Sequence, residues 1–200
     1  MNRLCCLFLI VIASTASAFA QPLLTWMEEG DQIHLRVWIS GCFQMEDNIY
    51  RFEMKEGKIS CTGHVLPDYV SPQRHPRVRT APVELTKAQI EGINSDIVQF
   101  RTTPLRSQRK ESTGLTIIKR SGESGSTTQS EITLTFIEKG KPTIEESIHS
   151  PSLHVLYHGQ HKGLADLKRI LQIQAESELN RIKVSEEVQK QQPAVEQTGP

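Results

Sequence analysis

Six short stretches of this 200-residue chain read as strands, the first by strict alternation of apolar and polar residues, and only two stretches carry a helical repeat. The clearest alternation is Ile33-His34-Leu35-Arg36-Val37-Trp38-Ile39-Ser40, which turns Ile33, Leu35, Val37 and Ile39 to one side and His34, Arg36, Trp38 and Ser40 to the other. A period of two is the mark of a strand with one buried face. Gly41 and Glu46-Asp47-Asn48 read as the turn that follows. A second strand is expected from Ile49 to Met54, with Tyr50, Phe52 and Met54 on one face. Glu56-Gly57-Lys58 closes a tight hairpin onto a third strand through Ile59, Cys61, Gly63 and Val65. Later, Leu115 to Lys119, Ile132 to Ile137 and Thr143 to Ile148 read as strands, the last two joined by the turn at Glu138 to Lys141. Ser121 to Ser130, rich in Ser and Gly, is a loop.

The helical stretches are distinct. Thr86 is an N-cap with Gln89 three residues on, a capping box, and Leu85 and Ile90 form a hydrophobic staple. Ile90, Ile93 and Ile97 share a face, which predicts a helix over 87–98. Leu164, Leu167, Leu171, Ala175, Leu179 and Ile182 recur at helical spacing and predict a second, of about 20 residues. Between the third strand and the first helix, Pro67, Pro72, Pro76 and Pro82 exclude a regular helix or a central strand. The order is three strands, helix, three strands, helix. It implies an α+β domain: an antiparallel sheet of about five to six strands in two meander or hairpin units, with two helices on one face.

The first twenty residues stand apart. Arg3 supplies a positive start, Leu4 to Ala13 an apolar run of ten, and Ala16-Ser17-Ala18 and Ala18-Phe19-Ala20 two small-x-small sites. This is the layout of a secretory signal peptide cut after Ala18 or Ala20. Ten apolar residues reach about half the roughly 20 needed to span a bilayer. Residues 1–20 are therefore expected to be a signal peptide, 21–182 a single domain, and 183–200, rich in Gln, Glu and Pro, a disordered tail. The product is expected outside the cytosol, periplasmic or extracellular, with no membrane span.

In that setting Cys42 and Cys61, the two cysteines left after cleavage, are expected to form one disulfide, the alternative being two buried thiols. In a three-stranded meander the two lie on opposite sides of the middle strand. Two strand spacings are about 9.6 Å, beyond the roughly 7 Å limit for bridged Cα atoms. Either the chain curls over the sheet at Gly41 or the bond does not form, and the curl is the expectation. There is no Cys-x-x-Cys spacing.

Charge is unevenly spread. Residues 21–69 carry net −4, 70–120 net +6 and 121–200 net −3. The basic stretch holds Arg101, Arg106, Arg109, Lys110, Lys119 and Arg120. It either meets an acidic partner or folds back on the acidic parts of its own chain, the commoner outcome. Aromatics are not interleaved with it, so nucleic acid is not an expected partner. Trp38 lies opposite the aliphatic stripe, covered by a helix or left as a contact residue; Trp26 would staple the N-terminus.

No nucleophile elbow, His-Glu-x-x-His motif, phosphate-cradling glycine loop or dinucleotide fingerprint is present. The one concentration of ligand-type residues is His149, His154, His158 and His161, four of the seven histidines within thirteen residues. Neutral imidazoles suit zinc or another transition metal, and Glu145 or Glu146 would have to supply a base for metal-dependent hydrolysis.

Ser40-Gly41-Cys42-Phe43, Glu56-Gly57-Lys58, Leu85-Thr86-Lys87-Ala88-Gln89, Thr133-Leu134-Thr135 and Leu164 to Leu171 together resemble small exported bacterial proteins of the emfourin type, which inhibit thermolysin-like metalloproteases. The resemblance spans about residues 33–173, with Cys42 in place of a glycine and a longer Pro-rich connector. It implies the same α+β fold and a protease-inhibitor role, with no inhibitory residue carried over. The expectation is an exported, non-catalytic protein that binds another protein, through Gln44 to Asn48 or Ser121 to Ser130, without a cofactor. The alternative is a metal-binding protein or hydrolase using the His149–His161 cluster.

Overall fold

In the computed structural model, residues 23–41, 45–65, 77–102, 106–122, 129–149 and 162–191 are described. They form one mostly antiparallel, nine-stranded sheet with two helices. The strands are β1 (Gln32–Ser40), β2 (Met45–Lys55), β3 (Lys58–Val65), β4 (Val78–Arg79), β5 (Val83–Glu84), β6 (Arg106–Ser112), β7 (Leu115–Ser121), β8 (Gln129–Ile137) and β9 (Thr143–His149). The helices are α1 (Lys87–Thr102) and α2 (Lys162–Gln191). The sheet order is β4-β3-β2-β1-β8-β9-β7-β6, with β5 also on the free side of β3.

The alternation of β1 has its expected consequence. Ile33, Leu35, Val37 and Ile39 are all buried. Each such side chain contributes roughly 1.5–3 kcal/mol when taken out of water. A one-residue slip of register would turn all four outward, which makes the observed register the stable one. β1 is therefore central, paired antiparallel with β2 on one side and β8 on the other. Tyr50 and Phe52 of β2, Ile132 and Leu134 of β8, and Ile148 of β9 fill the same face. At the β2–β3 hairpin Glu56 and Gly57 both take positive φ, 54° and 71°. That is the primed two-residue turn whose twist suits a hairpin. The Glu29 carboxylate accepts both N–H groups of this turn.

The helices cover only that face. α1 begins at the anticipated capping box: Gln89 N–H donates to Thr86 Oγ1 and Thr86 N–H to Gln89 Oε1, at 3.3 and 2.8 Å. Ile93, Ile97 and Phe100 point into the core. α2 adds Leu164, Leu167, Leu171 and Ala175. It lies close over Gly63 of β3, where an added Cβ would stand 3.0 Å from Leu171 Cδ1. The helices touch backbone to backbone at Gly92 and Gly163. The buried Asp96 carboxylate accepts the Leu164 N–H at 2.7 Å, filling one orphan donor at the start of α2. Similarly, Asn94 of α1 accepts the N–H of Leu24, whose buried side chain anchors a short 3-10 turn, Leu24–Trp26. Trp26 itself is 58% exposed, and the N-terminus it is expected to staple lies outside the described residues.

Several expectations need correction. The sheet has nine strands rather than five or six, and it is mixed, because β7 runs parallel to β9. β6, Arg-Ser-Gln-Arg-Lys-Glu-Ser, carries no apolar residue and so gives no alternation; it is an edge strand exposed along its whole length. Glu46-Asp47-Asn48 is not a turn but part of β2, and all three are buried. Turn-like composition is overridden there by partners described below. α1 runs to Thr102, past the expected residue 98. α2 continues through Gln191, so residues 183–191 are helix and not tail. Nothing in Asn180 to Gln191 breaks a helix, and Pro193 is the first residue that does. The remaining tail, 192–200, lies outside the described residues, as does the expected signal peptide.

Candidate binding face

Alternation leaves the second face of the sheet uncovered. Among the described residues, no helix packs on it. Its side chains are the polar half of each strand, and the register arranges them in rows. One row across β4, β3, β2, β1 and β8 is Arg79, His64, Ile49, Arg36 and Thr133. The next is Thr62, Arg51, His34 and Thr135. On the other side of the first row lie Asp47, Trp38 and Glu131. Neighbours in a row are about 4.8 Å apart, and successive rows about 6.7 Å.

Asp47 organises one corner. Its carboxylate, 11% exposed, takes a fork from Arg36 at 2.8 and 3.0 Å and an ion pair from Arg77. Two guanidinium groups thus bracket one carboxylate. Beside them, His34 and His64 are both held below the ordinary imidazole range, first by burial and then by Arg51, with Arg79 adding to the effect on His64. Trp38 is half-buried between Asp47 and Glu131. Among the described residues no helix covers it.

The covered face has its own charges, and these are structural. Glu146 of β9 is fully buried. Arg101, near the end of α1, reaches it at 2.8 Å while lying over the Phe136 ring, and Arg120 of β7 comes to 3.0 Å and also donates to the Arg101 carbonyl. Glu46 pairs with Lys168 of α2 at 2.7 Å and accepts from Asn48. These links tie both helices to the sheet. They also show where the central basic stretch goes. Arg77, Arg101 and Arg120 fold back on acidic groups, and Arg109 pairs with Glu111. Arg79, Arg106, Lys110 and Lys119 are exposed, at register positions of the uncovered face.

The residues singled out from sequence fare unequally. His149 ends β9, exposed, 3.5 Å from Glu131. His154, His158 and His161 lie outside the described residues, and with them the question of whether the cluster converges. Among the described residues no group of three or more His, Cys, Asp or Glu could hold a metal. Cys61 is a free buried thiol, its pKa raised by burial. Cys42 lies outside the described residues, and with it the expected bond to Cys61. Of the two expected contact loops, 45–48 is strand, and 123–128 lies outside the described residues. No helix among the described residues is long and apolar enough to cross a membrane.

Comparison with family models, curated proteins and solved structures gives no match.

Proposed function

We propose that this chain is an exported, non-catalytic module that binds another protein, and that it does so with the uncovered face of the sheet. The observation that carries the reading is the one-sided layering. A nine-stranded sheet is covered by helices on one face, and its other face offers Trp38, Arg36, Arg51, His34 and His64 without a covering element among the described residues. Tryptophan and arginine are the side chains that most often dominate protein interfaces. Export rests on the composition of residues 1–20. Inhibition of a metalloprotease is a narrower version of the same role and rests on the emfourin-type resemblance alone.

The test is capture of envelope and culture-medium proteins on the immobilised chain, with Trp38→Ala run in parallel after its thermal unfolding is shown to match the parent. A saturable partner is expected, with affinity reduced at least tenfold by Trp38→Ala. Undiminished binding to Trp38→Ala would exclude this face. Stoichiometric metal in the purified protein, lost in His154→Ala/His158→Ala, would replace the reading with metal binding.

A further inference from the structure

We infer that the basic end of the uncovered face, built on Arg51, Arg79, His34 and His64, receives an extended, carboxylate-rich segment of the partner protein. This rests on the binding-module reading and adds the chemistry of the partner.

Four adjacent strands contribute one residue each: β4 Arg79, β3 His64, β2 Arg51 and β1 His34. Arg79 is directly opposite His64, and Arg51 directly opposite His34. The two pairs lie in neighbouring rows. Arg36, Arg77, Arg101, Arg109 and Arg120 each have a carboxylate. Arg51 and Arg79 here, like Arg106 at the far edge, have no ion pair among the described residues. The acids on the same part of the face are Asp47, already held by two guanidinium groups, Glu53, two residues along β2 from Arg51, and Glu84 of β5, paired with Lys58. Positive charge is therefore in excess here although the whole chain has net charge zero. It is a local feature that calls for an acidic complement.

The form of that complement follows from geometry. A guanidinium is a planar fork that matches a carboxylate with two parallel hydrogen bonds. This face already holds one carboxylate in that way, Asp47 in the fork of Arg36. Alternate side chains of an extended segment repeat every 6.6 to 6.8 Å or so, the same interval that separates the rows of the sheet. An extended segment lying along the strands can thus offer a carboxylate to each row.

The probe is a labelled octapeptide of alternating Glu and Thr, titrated against the full chain by fluorescence anisotropy. Saturable binding is expected, several-fold weaker when salt is raised from about 50 to about 500 mM. Arg51→Gln/Arg79→Gln, both exposed and without an ion pair among the described residues, should lower affinity about tenfold. Arg106→Gln/Lys110→Gln removes the same charge from the far edge and should leave affinity within about twofold. Equal losses in the two doubles would reduce the effect to net charge and overturn the inference. So would equal binding of an alternating Lys–Thr octapeptide, absence of binding at millimolar peptide, or tighter binding of a sulfated oligosaccharide of equal charge. If any of these occurs while Trp38-dependent capture of a protein holds, this inference falls and the binding-module reading stands.

Discussion

The contact between Gly92 and Gly163 makes a prediction whose sign opposes the usual one. Alanine normally stabilises a helix relative to glycine, by up to about 1 kcal/mol at an interior position. At Gly163 an added Cβ would stand 2.3 Å from Gly92 C, 2.5 Å from Ile93 N and 2.7 Å from Gly92 O. All three are backbone atoms and cannot rotate aside. Restoring an ordinary contact of about 3.4 Å requires the two helices to part by about 1 Å. That lifts Leu164 and Leu167 from the core and stretches the bond from the Leu164 N–H to the buried Asp96. Overpacking of this kind costs about 1–3 kcal/mol, and weakening a hydrogen bond to a charged group adds about 1 kcal/mol or more. After the helix-propensity gain, Gly163→Ala should lose about 2 kcal/mol. For a chain of this size that lowers Tm by about 4–8 °C. Gly92→Ala is the control. Its Cβ meets Gly163 Cα at 3.3 Å, a few tenths of an ångström too close. Its propensity gain offsets that, so stability should change by less than about 1 kcal/mol. Urea unfolding of the three proteins, with unchanged m-values, measures the differences. A Gly163→Ala protein as stable as the parent would refute the close crossing of the helices.

Two further predictions concern charge. Glu146→Gln leaves Arg101 and Arg120 facing a neutral group inside the fold, and breaking a buried pair in this way costs about 3–5 kcal/mol; a urea midpoint equal to the parent's would show that the network carries no stability. His34 and His64 have folded pKa values below the ordinary value of about 6.5. The unfolded chain therefore binds more protons in that window, and stability is full above about pH 6.5 and falls as pH drops from there toward the folded values. Tm should decline between about pH 7.5 and 5, and His34→Gln/His64→Gln should flatten that slope; an identical slope in the variant would assign the decline to other groups.

The elements that sequence alone made legible are those whose causes are local. The stripe Ile33 to Ile39, the Glu56-Gly57 turn, the Thr86 and Gln89 capping box and the leucine repeat from Leu164 each lie within a few residues, and each formed as the local chemistry requires. The polar half of β1, His34, Arg36 and Trp38, was equally readable as the side away from the core. The missed features share the opposite property. β6 has no apolar residue to show a period; it exists because β7 lies beside it. Glu46-Asp47-Asn48 looks like a turn until Lys168, Arg36 and Arg77 are brought to it.

By itself, then, the sequence determined which residues form the main strands and helices and which side of each strand is apolar, because backbone preference and hydrophobic period act over one or two turns of chain. Tertiary structure alone decided that β8 pairs with β1, that β7 runs parallel to β9, and that Arg51, His34, His64 and Arg79 lie together. Those neighbours are set by strand register, which depends on how all the apolar stripes are buried at once and is written in no single segment.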